Sequence, residues 1–369
     1  MLCVWLAFML AAVCVTLVTA KSESGPHYEK MTEARRISAA AMEAVKTRKI
    51  ELGIEISELD ILSTGMLGEE NSAITTTIGS LEAKRTTFNP DWAAVFVGMF
   101  VRAGLRENDQ VCMVFSGSFP ALDISAMAAA DAYGLKTCIM ASIGASNYGA
   151  NNINFTFFDM TEYLAGNGFL SRRIDYVSLG GNYDVMDLEM EFYATEINEI
   201  RTRIEASDSV FIYEPDFGKN INLRLDYLKK DVPNVKFMLN VGGSLIGLGT
   251  GSSSLYRRTG YLEPGYIKGE AVLPPFLRNT EIGLVEYYHK QGVPAANILD
   301  IKRLSAKYAL PYDPQVIPEI GSAEIYYSQK YIAAIPFTAV GLSFAAGAGY
   351  CFYRKRYDKN HSSTKLCNI

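Results

Sequence analysis

The sequence predicts an α/β protein: a mostly parallel, doubly wound sheet, or sheets, with helices on both faces, flanked by a transmembrane helix at each end. Three observations carry this expectation. Short β-rich runs alternate with helical patterns and no hairpin signals separate them, which favours parallel strands joined by crossover helices. Of 369 residues, 49% are hydrophobic and 20% charged, enough apolar material for a sizeable core and far too much for a disordered chain. Finally, an uncharged apolar run near each end has about the length of a membrane span.

Several chemistries are disfavoured at once. A net charge of −5 gives no overall attraction for phosphate backbones, so no nucleic-acid partner is expected. The six cysteines are scattered, with no CxxC, which removes support for thiol redox chemistry or a zinc ribbon. His27, His289 and His361 are the only histidines. A multi-histidine zinc hydrolase is therefore nearly excluded, and a serine triad would have to recruit His289. There is no GxxxxGK[ST] and no GxSxG, and Gly247-Leu248-Gly249-Thr250-Gly251 departs from the dinucleotide spacing. No cofactor or metal is expected.

Taken in order, Leu2 to Ala20 is either a signal peptide or an N-terminal membrane anchor. Its Val18-Thr19-Ala20 ending suits cleavage, but no basic residues precede the apolar stretch. From Tyr28 to Ile54, apolar residues at Ile37, Ala40, Ala41 and Val45 suit an amphipathic helix. Strands are expected at Val111–Phe115, Thr137–Ser142, Tyr176–Leu179, Val210–Tyr213 and Val235–Val241. Helices are expected at Asp91–Ala103, Ala121–Tyr133, Leu188–Ala206, Asn220–Lys230 and Ile282–Gln291, with Gly134 as a helix stop. Cys112 and Cys138 fall at similar depth on two of these strands and are expected to be free, buried thiols.

Tyr331 to Tyr353 is the second apolar run, rich in Gly and Ala and followed by Arg354, Lys355, Arg356 and Lys359. The positive-inside rule puts that cluster in the cytoplasm. Lys21, Lys30, Arg35 and Arg36 after the first run favour the opposite orientation, but they are less concentrated. The expected organisation is a signal peptide or anchor at 1–20, an extracytoplasmic α/β domain of one or two lobes at 21–328, a transmembrane helix at 329–353 and a cytoplasmic basic tail at 354–369. The whole is expected to be integral to the cell membrane.

The informative residues follow the strands. Ser116-Gly117-Ser118-Phe119-Pro120 leads from a strand into a helix, a polar loop runs from Ser142 to Asn152, and Gly242-Gly243-Ser244 follows the strand at Val235–Val241. In an open α/β sheet such loops converge on a crevice beyond the strand ends; ordinary capping is the bland alternative for each. Ser72 to Pro90 adds hydroxyls, Glu82 and the adjacent cations Lys84 and Arg85. Arg85 suits a two-pronged grip on a carboxylate, or else pairs locally with Glu82. The expected binding set is Thr76, Glu82, Lys84, Arg85, Gly117, Ser118, Gly243 and Ser244, with no catalytic residue assigned.

Ile61-Leu62-Ser63-Thr64-Gly65-Met66-Leu67-Gly68-Glu69-Glu70, the Gly79-Ser80-Leu81-Glu82-Ala83-Lys84-Arg85-Thr86 core, Gly117-Ser118-Phe119-Pro120-Ala121-Leu122, and Gly144-Ala145-Ser146 with Tyr148-Gly149-Ala150-Asn151-Asn152 together resemble the poly-γ-glutamate system protein family. The resemblance covers roughly residues 28 to 300. It implies a membrane-associated accessory protein, partnered by the machinery that makes or exports poly-γ-glutamate and by the anionic polymer or a glutamate-like precursor. It implies no reaction. Two function classes follow: an accessory protein that holds the assembly or guides the polymer, and a membrane-tethered enzyme that cleaves, transfers or modifies it.

Overall fold

A computed structural model describes residues 2–186, 194–250, 258–264, 282–330 and 334–362. The chain forms two compact units: His27–Tyr326, and the two ends, Met1–Pro26 with Tyr327–Ile369. The end unit begins with α1 (Leu2–Val18) and β1 (Lys21–Ser24). The larger unit opens with α2 (Tyr28–Glu51), β2 (Thr75–Thr77), α3 (Leu81–Thr87) and α4 (Trp92–Arg102). Alternation then sets in with β3 (Gln110–Phe115), α5 (Pro120–Tyr133), β4 (Lys136–Ser142), the short β5 (Ala145–Ser146) and α6 (Phe157–Gly166). It continues through β6 (Tyr176–Ser178), α7 (Ala194–Glu205), β7 (Val210–Ile212), α8 (Phe217–Asp231) and β8 (Val235–Val241). α9 (Leu245–Leu248), β9 (Gly260–Leu262), α10 (Leu284–Lys290), β10 (Ala295–Ile298) and α11 (Ile301–Lys307) complete the unit's main elements.

The main sheet runs β7-β6-β4-β3-β8-β10-β9. Its pairings are parallel except for edge strand β9, antiparallel to β10. From β3 the chain winds outward through β4, β6 and β7, then returns to place β8 on the other side of β3. The switch point therefore lies between β3 and β8. Side-chain alternation explains the two helical layers. Val111, Met113 and Phe115 of β3 face a core with α2, α4, α5 and α6, while Cys112 and Val114 face a second core with α8 and α10. The five expected strands are all present; β9 and β10 extend the sheet beyond them.

Local chemistry sets the element ends. Pro120 occupies the first turn of α5, and Gly134 ends it in the left-handed region at φ 77°, as a glycine C-cap should. The Ala126–Ala130 stretch is buried, so small side chains let α2 and α4 pack closely on α5. On α2 the buried stripe is Met31, Ala34, Ser38, Ala41, Met42 and Val45; Ala40, expected inside, is exposed. The helix expected at Leu188–Ala206 is described from Ala194; its first residues lie outside the described ones. That expected at Ile282–Gln291 spans Leu284–Lys290.

In the end unit, β11 (Tyr327–Lys330) leads to α12 (Ala334–Ser362). β1 and β11 pair antiparallel with Lys21 opposite Lys330, an arrangement the sequence did not signal. α1 packs on α12, where the Ser343 hydroxyl donates to Met9 Sδ at 3.5 Å. Among the described residues, only Ile335–Tyr357 is long and apolar enough to cross a membrane by length and composition. α1, at 17 residues, falls short of that length, so the expected pair of spans narrows to one. The basic residues Arg354, Lys355 and Arg356 lie within α12 rather than in a separate tail beginning at 354.

Candidate functional site

A cavity of about 410 Å³ opens at the carboxyl ends of the central strands. The β3 end supplies Ser116 and Ser118, and the β4 end Ser142 and Gly144. β6 leads to Gly180, Gly181 and Asp184, β8 to Gly243 and Ser244, and β2 contributes Thr76 and Thr77. This is the place, outside the strand ends at the switch point, where open α/β sheets hold ligands. Two glycines permit the convergence. Gly180 adopts φ +78°, and a Cβ there would stand 2.6 Å from Ser142 Cβ; Gly242 adopts φ +88°, and a Cβ there would collide with the Ser116 hydroxyl. Gly243, by contrast, faces open space.

The back wall carries a buried ion pair. Asp184, itself in the left-handed region at φ 69°, accepts hydrogen bonds from the Arg224 guanidinium at 2.5 Å, Ser178 Oγ at 2.7 Å and Asn220 Nδ2 at 3.2 Å. Arg224 in turn donates to Asn220 Oδ1 at 2.9 Å. Three partners on one carboxylate offset the cost of burying it.

Four of the eight expected binding residues, Thr76, Ser118, Gly243 and Ser244, line this cavity. Gly117 lies behind it at φ +64°, with its carbonyl accepting from Ala150 N at 2.9 Å. The backbone donors at these strand ends are partly engaged: Ser116 N donates to Val241 O, Ser118 N to Ser116 Oγ, and Gly242 N to Ile298 O.

Lys84 lies beneath the Ser118 loop, 1% exposed. Its ammonium donates to the Ser118 carbonyl and, at 2.7 Å, to Ser146 Oγ, and sits 4.3 Å from the centre of the Phe119 ring. Burial pulls this amine down to about 7, opposed by Asp123. Burial raises the Asp123 carboxyl well above its ordinary value, with Lys84 acting in the opposite sense.

Glu82 and Arg85 are not among the residues lining the cavity. Arg85 instead makes two parallel bonds to Asp313, at 2.6 and 2.7 Å, so its fork is spent on an internal carboxylate rather than offered to a ligand. Glu82 is exposed at the start of α3 and accepts from Ser80 Oγ at 2.7 Å. Ser142, Gly180, Gly181 and Asp184 were missed, although a signal existed: Gly180-Gly181 follows an expected strand as Gly242-Gly243 does.

Comparison with family models, with curated proteins and with solved structures finds no match. The site must therefore be interpreted from its own chemistry. Among the described residues no cluster of His, Cys, Asp and Glu is arranged to hold a metal ion. A second, wider opening of about 810 Å³ lies away from the strand ends, lined in part by Glu55, Glu58, Glu69 and Glu70. It also borders Lys49, whose buried ammonium donates to Leu67 O at 3.1 Å. Burial pulls this amine down to about 8 against the opposing charges of Asp60 and Glu69. Its acidic rim is unsuited to a polyanion.

Proposed function

We propose that this chain is a membrane-anchored accessory protein of poly-γ-glutamate synthesis or export, and that the strand-end crevice takes carboxylates and amides of the polymer or a precursor. The observation that carries the reading is the meeting of the Thr76, Ser118 and Gly243-Ser244 segments at one hydroxyl-rich cavity. Hydroxyls both donate to carboxylates and serve either side of an amide, and Lys84 lies just beneath them, bonded to the Ser118 carbonyl. The motif resemblance supplies the polymer's identity.

Membrane anchoring is supported by α12, whose large apolar residues Phe337, Leu342, Phe344 and Phe352 are exposed, as lipid-facing residues are. In this reading α1 is retained beside it, the larger unit is extracytoplasmic and the end of α12 is cytoplasmic. A specific contact, Lys84 Nζ to Ser146 Oγ, favours the enzyme reading as a second one.

Gly243 provides the test, because it faces open space in the crevice and no positive φ forbids a side chain. In the full chain held in lipid nanodiscs, Gly243→Phe should abolish binding of γ-glutamyl oligomers with the melting temperature unchanged. Unaltered binding by that variant, or no binding by the wild type, overturns the reading.

A further inference from the structure

We infer that Ser146 and Lys84 form a nucleophile and base that cleave or transfer an amide of the chain seated in the crevice, a step that rests on the polymer-binding reading and adds chemistry to it. The pair is set by two ordered elements. Ser146 ends β5, whose register with β2 is fixed at Thr77, and Lys84 lies on α3, whose start is capped by Ser80. Their polar atoms are 2.7 Å apart, the separation a base needs to take a hydroxyl proton. The pair adjoins the cavity wall: Ser146 N donates to Ser118 Oγ at 3.1 Å, and Ser118 lines the cavity.

A third group has no structural explanation otherwise. Asp123 is fully buried, and neither carboxyl oxygen has a hydrogen-bond partner among the described residues. Such a group costs stability, and Lys84 is the cation that acts on it. The other charged groups nearest in sequence to Lys84 are Glu82, which is exposed, and Arg85, which is held by Asp313. An amine titrating at about 7 supplies a neutral base near neutrality, which an ordinary lysine does not. Gly79 packs directly over the pair, so close that a Cβ would lie 3.0 Å from Ser146 Oγ and 3.1 Å from Lys84 Cε, and a substrate reaches Ser146, itself buried, only when this cover shifts. Ile78 beside it is 96% exposed.

The step balances without a co-reactant beyond water or an acceptor amine. Ser146 Oγ attacks the amide carbonyl carbon and its proton passes to the neutral Lys84 amine. The C–N bond breaks as Lys84 returns that proton to the leaving amine, leaving an acyl ester on Ser146. Water or a second amine attacks the ester, giving up a proton to Lys84; the C–O bond breaks and Ser146 Oγ takes the proton back.

The full chain in nanodiscs is treated with a fluorophosphonate probe and, separately, with poly-γ-glutamate, following probe position by peptide mass and polymer length by gel filtration. The expected result is labelling at Ser146 and a change in polymer length, with a labelling rate that rises through about pH 7. Both should fall about a hundred-fold in Ser146→Ala and in Lys84→Arg, whose guanidinium cannot act as the base. No label at Ser146, or an unchanged rate in a folded Lys84→Arg, overturns the inference. If the Lys84 variant does not fold, the wild-type pH profile decides, and a flat profile overturns it. Wild-type binding of γ-glutamyl oligomers separates the two readings. Binding without labelling or polymer change removes the chemistry and leaves the binding site; labelling at Ser146 without binding supports the pair and removes the polymer.

Discussion

Arg85 and Asp313, 228 residues apart in sequence, are joined by two parallel charge-assisted bonds. The same contact ties α3 to the segment after α11, where Asp313 N also donates to Thr86 Oγ1 at 2.8 Å. Both side chains are more than three-quarters buried, so solvent screens the pair less than a surface bridge. Arg85→Ala is expected to cost about 1–3 kcal/mol of stability and to leave ligand affinity unchanged. Chemical denaturation should show the Arg85→Ala and Asp313→Ala losses to be non-additive in the double variant. Strict additivity would mean the pair contributes nothing.

Cys112 and Cys138 stand opposite each other in the parallel register of β3 and β4, and both are free and buried. Burial raises both thiols well above their ordinary range, so the reactive thiolate is scarce. Maleimide labelling of these two positions should be slow in the folded protein and complete after denaturation. Rapid native labelling, or a bridged pair in unreduced protein, contradicts this.

The sheet was legible because its signal is local. The alternation of Val111, Met113 and Phe115 with Cys112 and Val114 places each residue in its layer, and Pro120 and Gly134 bound α5 without help from elsewhere. β9 and β10 escaped because Gly260–Leu262 and Ala295–Ile298 are built largely from Gly, Ala and Asn, with fewer of the β-branched and aromatic residues that mark the equally short β6 and β7. The crevice was half legible for a related reason. Loops after strands are pointed to one place by the fold, but which side chain turns inward is decided by distant partners. Lys84 and Arg85 are neighbours in sequence, yet successive helix positions differ by about 100°, so one goes under the Ser118 loop and the other to Asp313. Asp184 finds Asn220 and Arg224 from 36 and 40 residues away, which no local pattern announces.

That Asp184 cluster predicts a strong asymmetry. Arg224→Met removes the cation and leaves a buried carboxylate uncompensated, with an expected loss of about 3–5 kcal/mol. Asp184→Asn combined with Arg224→Met removes both charges and should recover part of that loss. Melting curves of the two variants measure it; a double variant no more stable than Arg224→Met alone would show that charge burial is not the dominant cost.

Lys84 makes stability depend on pH in a direction that can be worked out. Its folded value, about 7, lies below the ordinary 10.5, so between those limits the unfolded chain binds more protons, and stability attributable to Lys84 rises with pH. Below about pH 7 the full penalty of a buried ammonium is present; as pH climbs towards 10 it is relieved. Relative to Lys84→Met, the wild type should therefore gain stability between pH 7 and 10. The common contribution of Lys49 cancels in the comparison. A difference that stays constant over that interval would mean that Lys84 keeps an ordinary affinity for its proton.

The end unit yields the last prediction, because it bears on whether residues 1–20 are removed. β1 pairs along its length with β11, Lys330 Nζ bonds Glu23 at 3.0 Å, and Ser343 Oγ reaches Met9 Sδ. A cleaved leader would forfeit the α1–α12 contact. Met9→Cys with Ser343→Cys should therefore form an intramolecular disulfide in membranes under mild oxidation, and the amino terminus of the purified protein should begin before Leu17. Were α1 to lie across the membrane beside α12, the antiparallel pairing of β1 and β11 would have both enter from the same side. Reporters fused before residue 1 and after residue 369 should then give the same compartment, opposite to one inserted near residue 320. An amino terminus near Lys21, or unlike readings from the two terminal reporters, would refute a retained helical pair.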